Sequence, residues 1–440
     1  MGSRAIVVLT MLLLSSAAVL LCSQPAMVKA DASIIRVPND FPTIQEAIDA
    51  AQNGSTILVN SGIYYEHVIV NKTLRLLGAD KENTIIDGSN DGSVIVITAD
   101  NVLVDGFTLR NSSRGLNGLR LVSSTGSIIR GNVITLNGWA GIELDDSTNN
   151  TVSDNVVSST GFDVGGGDVL WGDAIMLSSS SNNTISNNVI ADSFESGIHL
   201  ETSYGNSVFG NTLQNNPIGI AEPFSGNNTF FHNNFIRNFV PIEPLNSSDA
   251  WSLDGRGNYW DDYTGLDDGS GGRVAGDGVG DTDLPCHDVD YYPLISPANP
   301  LLILLDNTAF SVSLVSNCTV YGDASRPFGF DQSYSDIAAM VFGPANTTGY
   351  FNLTLPKTLL SVPWEVRMDG NVVSAHISEN QTHTTIYLNY SNNGQHSHYI
   401  LIGGTVAMPE YPTASILLLL VLPAILLTIL TARKRRRKSE

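Results

Sequence analysis

The stretch from Gly118 to Phe235 repeats itself five times, and this self-similarity restricts the chain to a solenoid architecture. The clearest copies begin Gly141-Ile142-Glu143-Leu144 and Gly197-Ile198-His199-Leu200. Taking the last Asn of each copy as a marker gives Asn132, Asn155, Asn188, Asn211 and Asn234, at steps of 23, 33, 23 and 23 residues. The long step holds a ten-residue insertion near Thr160–Trp171.

The period alone leaves leucine-rich repeats open, but the residue types decide against them. Each copy carries short alternating apolar runs, such as Ile142/Leu144 and Val152, then Val156. Period two means strand. Asn, Gly and Ser separate the runs, and Asn and Gly tolerate the left-handed backbone of a tight corner. No copy has room for a helix. One coil per copy gives a parallel β-helix, in which equivalent residues stack about 4.8 Å apart. The recurring Asn is then expected to form an internal ladder of side-chain amides.

An open solenoid end exposes core and unpaired strand edges, so the first coil needs a cover. Phe41–Gln52 reads as a short amphipathic helix with Ile44, Ala47, Ile48 and Ala51 on one face, Thr43 as N-cap and Glu46 three residues on. Ile34–Pro38 before it and Thr56–Val59, Val68–Val70, Leu74–Leu77, Thr84–Gly88, Val94–Ile97 and Val102–Leu109 after it read as strands, with Phe107 at the Asn marker position. This opening, together with the Asn-marked coils, resembles the NosD-type family of right-handed parallel β-helices, in the pectin-lyase-like class of carbohydrate-binding proteins and sugar hydrolases. The resemblance covers residues 34–295. It implies a fold, and through the family name it raises copper delivery. It does not imply an activity, because the matching residues are structural.

The two ends carry targeting signals. Met1–Ala30 reads as a secretory signal, with Arg4, an apolar run Ala5–Leu21 and Val28-Lys29-Ala30 as cleavage site; an uncleaved anchor is the alternative. Residues 415–432 form an apolar run just long enough to span a bilayer, followed by a basic tail at 433–440 that favours the cytoplasmic side. The linker 408–414 and this tail resemble those of archaeal surface proteins. The expected location is therefore a single-pass cell membrane protein with its bulk outside. The chain has 22 Lys+Arg against 43 Asp+Glu. Without the two ends it has 14 against 42, a formal −28. Such a surface repels nucleic acid. Cys286 and Cys318 remain after signal removal and could pair. Sequons at Asn71, Asn111, Asn246, Asn346, Asn352 and Asn380 make surface glycosylation plausible.

Within Gly-Ile-x-Leu the apolar residues face in and x faces out. The outward column then reads Arg120, Glu143, Met176, His199, Ala221, and a second reads Val122, Asp145, Ser178, Glu201, Pro223, with Asp146 alongside. The insertion adds Asp163, Asp168 and Trp171, followed by Asp173. Carboxylates, a His and an aromatic converge here, which is the equipment of a glycan groove. The expected ligand-binding set is Arg120, Glu143, Asp145, Asp146, Trp171, Asp173, His199 and Glu201, with extracellular polysaccharide or glycoprotein glycans as partner. Glu143, Asp145 and His199 are the candidates should the groove cleave sugars, since glycosidases use paired carboxyls. The full constellation of polygalacturonases or pectate lyases is missing.

The segment 254–295, after the β-helix of 31–253, is rich in Asp and Gly and resembles the closing segment of the family. Hard oxygen ligands on a pliable backbone suit Ca²⁺, with Asp267, Asp277, Asp281 and Asp283 as candidate ligands. Copper finds few soft ligands: one adjacent pair, Cys286-His287, and no Met-rich or His-rich tract. Residues 296–407 change to short alternating runs with turn signals, expected as a small β-sandwich stalk. Its runs are Phe310–Val315, Ala338–Phe342, Tyr350–Leu355, Trp364–Met368, Val372–Ile377, Thr384–Tyr390 and Tyr399–Ile402. The fold class expected is all-β: a capped right-handed parallel β-helix, a β-sandwich and one C-terminal transmembrane helix.

Overall fold

A computed structural model describes residues 34–163, 170–243, 248–323, 325, 327–393 and 397–406. The signal at 1–30, the apolar run at 415–432 and the basic tail lie outside the described residues. Among the described residues no helix is long and apolar enough to cross a membrane.

Residues 34–260 wind into a right-handed parallel β-helix of about nine turns with three faces. Sheet 1 has nine strands, from Ile34–Val37 to Thr229–Phe231. Sheet 2 has eight, from Val68–Val70 to Val240–Ile242. Sheet 3 has nine, from Gly62–Tyr64 to Tyr259–Trp260. The run 102–109 splits into strands Leu103–Asp105 and Thr108–Arg110, because Gly106 (φ 86°) turns a corner between them. In Gly-Ile-x-Leu the glycine is required by close approach: a Cβ on Gly141 would lie 2.4 Å from Val157 and 2.7 Å from the Ala174 carbonyl oxygen.

The expected ladder runs through the core as Asn132, Asn155, Asn188, Asn211, Asn233 and Asn258, each Nδ2 donating to the next Oδ1 at 2.9–3.1 Å. Each Oδ1 also accepts the backbone N–H of the Asn before it. Phe107 precedes the ladder, its N–H donating to Asn132. The last marker is corrected from Asn234 to Asn233, since the coil from Asn211 is one residue shorter than the one before it. Asn234 instead points outward and exchanges two hydrogen bonds with Ala298. A second ladder, Asn150, Asn183, Asn206 and Asn228, ends on Asp249.

The capping helix, α1, spans Ile44–Ala50, shorter than Phe41–Gln52. Its ends are fixed by the coil beneath. Thr43 accepts from Glu46 N–H, and the Glu66 carboxylate takes the N–H groups of Ile44 and Gln45. Lys72 Nζ donates to the carbonyls of Ile48, Asp49 and Ala51. These pairings satisfy the orphan groups that every helix end presents. At the other end an aromatic plug closes the core: Phe235 stacks on Trp260 (4.2 Å) and Phe230 on Trp251 (4.4 Å).

The C-terminal part forms two antiparallel sheets around one core. The run 372–377 is not one strand. Asn371–Val372 pairs in one sheet and His376–Glu379 in the other, and Val373 and Ala375 pack on the core between them. A strand at Leu301–Leu305 escaped the sequence reading. The expected stalk is in fact docked along the β-helix. Outward-facing Val133, Val156 and Val189 of sheet 3 are buried under Leu302, Leu304 and Ala309, and Arg237 donates to the carbonyls of Phe328 and Phe330. Val156 is therefore buried by the sandwich rather than by the solenoid interior. Cys286 and Cys318 are buried and unpaired.

Candidate functional site

Strand register stacks the outward column of sheet 2 as Arg120, Glu143, Met176, His199 and Ala221, and beside it Val122, Asp145, Ser178 and Glu201. Two polar clusters result, separated by the coil of Met176, which is only 9% exposed.

The first cluster is Asn117, Arg120, Glu143 and Asp145. Arg120 Nη2 donates to Asp145 Oδ2 at 2.5 Å, and its Nε lies 3.0 Å from Glu143 Oε2. Asn117 Nδ2 donates to the same Glu143 oxygen. Burial raises the Glu143 carboxyl, and Arg120 and Asn117 offset only part of that rise. The second cluster is Asp173, Glu195, His199 and Glu201. His199 Nδ1 meets Asp173 Oδ2 at 3.0 Å, while Asp173 Oδ1 accepts the Ser196 N–H. Burial alone would lower the His199 pKa, but the Asp173 hydrogen bond and the charges of Asp173, Glu195 and Glu201 outweigh it and raise it. The His199 Nε2 is buried with no partner. Burial also raises Glu195, helped by Asp173.

Six of the expected ligand residues thus fall into two clusters on one face. Asp146 sits at the exposed corner, in left-handed conformation, and joins neither. Asp168 lies outside the described residues. The backbones of Asp163 and Trp171 form a two-stranded ribbon, with Phe162 opposite Trp171 and Asp163 opposite Leu170. Sequence reading missed Asn117 and Glu195. Asn117 occupies the place before the glycine where Asp173 stands two coils later, a signal the column alignment could have yielded.

The aspartates of the closing segment hold backbone. Asp267 accepts the N–H groups of Gly276 and Gly278, Asp281 that of Gly269, and Asp277 that of Val279; Asp283 is exposed. Among the described residues no three His, Cys, Asp or Glu side chains are grouped to hold a metal ion. The organiser of this segment is Asp290, wholly buried, which accepts from Asn258 N–H, Trp260 Nε1 and Tyr292 N–H. A Cβ on Gly257 would strike its carboxylate at 2.1 Å.

Residues 48–265 match the NosD family, described as periplasmic copper-binding protein. The β-helix belongs to the NosD family. The sequence is also 26% identical over 319 residues to a cell surface glycoprotein of Methanothermus fervidus, covering 52% of this chain and 53% of that one. The chain thus spans about half the length of the curated relative it matches. Among solved structures, alginate lyase from Paenibacillus sp. str. FPU-7 is similar at 14% identity and TM-score 0.37, over 51% of this chain and 94% of that one. Pectate lyase Pel9A is similar at 14% identity and TM-score 0.33, over 49% and 68%. Neither assigns chemistry to this chain.

The copper of the NosD description does not fit the donors found here. Burial pushes the Cys286 thiol well above its ordinary pKa, which disfavours the thiolate a metal needs. His287 turns its Nε2 to Asp262 (2.9 Å) and its ring to Trp260. Cys318 is buried against Asn392.

Proposed function

We propose that this NosD-family chain is a cell-surface protein that binds glycan along the outward face of sheet 2. The observation that carries the reading is the pair of charged clusters at Arg120/Glu143/Asp145 and Asp173/His199/Glu201, stacked on a rigid sheet in otherwise repetitive coils. Planar charged groups fixed by their neighbours suit an array of sugar hydroxyls, since little ordering entropy is lost on binding. The surface location draws on the Methanothermus relative, on the acidic body and on the export signal at 1–30. Residues 415–432 would anchor the chain, with the tail 433–440 inside. A glycan-array screen of the full chain in detergent tests the reading, with a reducing-end assay on each hit. Binding without new reducing ends is expected. New reducing ends or unsaturated sugars would instead make Glu143, Asp145 and His199 catalytic. Silence across acidic and neutral polysaccharides would overturn the glycan reading.

A further inference from the structure

The docked sandwich encloses a second cleft, with a cavity volume of about 620 Å³, at the corner where sheet 1 turns into sheet 3. Sheet 2 takes no part in it. That size lies within the range of small-ligand sites, roughly 300–1,000 Å³. One wall carries His232 and Phe209, the latter from the outward column of sheet 1, where it lies between Ser186 and Phe231. The two phenylalanines stack at 4.9 Å, and His232 meets Phe231 edge-on at 5.4 Å. The facing wall is Val315 and Tyr350 of the sandwich. Arg256 stands at one end. Its Nη2 donates to the Asp277 carbonyl at 3.0 Å, and among the described residues it forms no ion pair. Asp267 and Asp277 also line the cleft, but their carboxylates accept the backbone N–H groups of Gly276, Gly278 and Val279, which leaves Arg256 as the one Arg or Lys side chain among the described lining residues. Burial and the Arg256 charge hold the His232 pKa below its usual value, leaving a neutral ring that can donate or accept.

We propose that this cleft binds an acidic sugar, with a hexuronate carboxylate on Arg256 and the ring faces against Phe209 and Tyr350. Aromatic faces cover the apolar C–H faces of a sugar ring, and an Arg fork matches a carboxylate in two hydrogen bonds. With one Arg beside two aspartates in the lining, a single carboxylate is favoured over a polyanion. The proposal goes beyond the sheet 2 reading and does not depend on it.

The test is calorimetric titration of the full chain in detergent with a hyaluronan tetrasaccharide and with its carboxyl-reduced form. The acidic sugar is expected to bind, and the reduced form to bind at least about tenfold more weakly. Arg256→Met and Phe209→Ser should each weaken the acidic sugar by about tenfold or more, with unchanged circular dichroism. Asp145→Ala/His199→Ala should stay within about twofold of wild type. No binding at millimolar sugar, wild-type affinity in Arg256→Met, or equal affinity for both sugars would overturn the proposal. So would loss of binding in Asp145→Ala/His199→Ala, which would place the sugar on sheet 2. Failure by any of the first three routes leaves the sheet 2 reading intact.

Discussion

Two columns of the same coils behave in opposite ways. The interior Asn column is identical from Asn132 to Asn258, whereas the outward column of sheet 2 changes at every coil, from Arg120 to Glu143, Met176, His199 and Ala221. Both recur once per coil of the same β-helix, the Asn column at the corner between sheets 1 and 3 and the outward column on the strands of sheet 2. Stacking demands identity only where one side chain must hydrogen-bond its copy above and below. On the outward face of sheet 2 no such copy-to-copy pairing is required, so the residues there are free to differ from coil to coil. Repetition therefore marks structure in this molecule, and departure from repetition marks candidate sites.

The largest effect should come from breaking the interior column. Asn188→Ala removes the acceptor of two Asn155 donors and the donor to Val152 and Asn211, all buried. Denaturant unfolding should show a loss of about 3 kcal/mol or more, because buried groups left unpaired cost about 1–3 kcal/mol each. His199→Ala, on the outward column of the adjoining coil, should cost about 1 kcal/mol or less by the same measurement. Equal losses would erase the distinction.

The next effect sharpens it at a position where the repeat itself fails. Glu222 follows Ala221 at the place where the previous coil has buried Leu200. Both its oxygens are buried without a donor, facing Asp249, and burial pushes its pKa up to about 9. The unfolded carboxyl ionises near pH 4.5, while the folded one keeps its proton. Its contribution is therefore intact below about pH 4.5 and is lost progressively as pH rises towards 9. Glu222→Leu should restore the column and stabilise the chain by about 1–3 kcal/mol at pH 8, with a gain that shrinks at pH 4. A destabilised variant at pH 8 would show that the carboxyl has a partner in solution.

Much of this was legible in advance. The Asn markers and the Gly-Ile-x-Leu runs contain the coil, its faces and the stacked outward columns, because each residue there obeys a local rule that repeats. The docking of the sandwich was not legible. Val133, Val156 and Val189 look like interior residues in sequence, and only tertiary packing on Leu302 and Leu304 reveals that they face outward. The marker error at Asn234 arose in the same way, from assuming a constant step through a coil that is one residue short. Aspartates 267, 277 and 281 suggested a cation by composition, whereas the folded loop gives their oxygens backbone N–H groups.

A smaller effect tests the polar face without ligand. The His199 imidazole should titrate above its ordinary value in an NMR pH series, and Asp173→Asn should lower the midpoint, because the Asp173 hydrogen bond and charge favour the protonated ring. An unshifted midpoint in the variant would mean that Asp173 does not hold the ring.

The central claim is that the variable column of sheet 2 is the glycan face. Its most direct test is the affinity of Asp145→Ala/His199→Ala for the strongest glycan-array hit whose binding Arg256→Met leaves unchanged, measured beside wild type by calorimetry. The account predicts a loss of about tenfold or more, with thermal unfolding within a few degrees of wild type. Wild-type affinity in the double variant would contradict it.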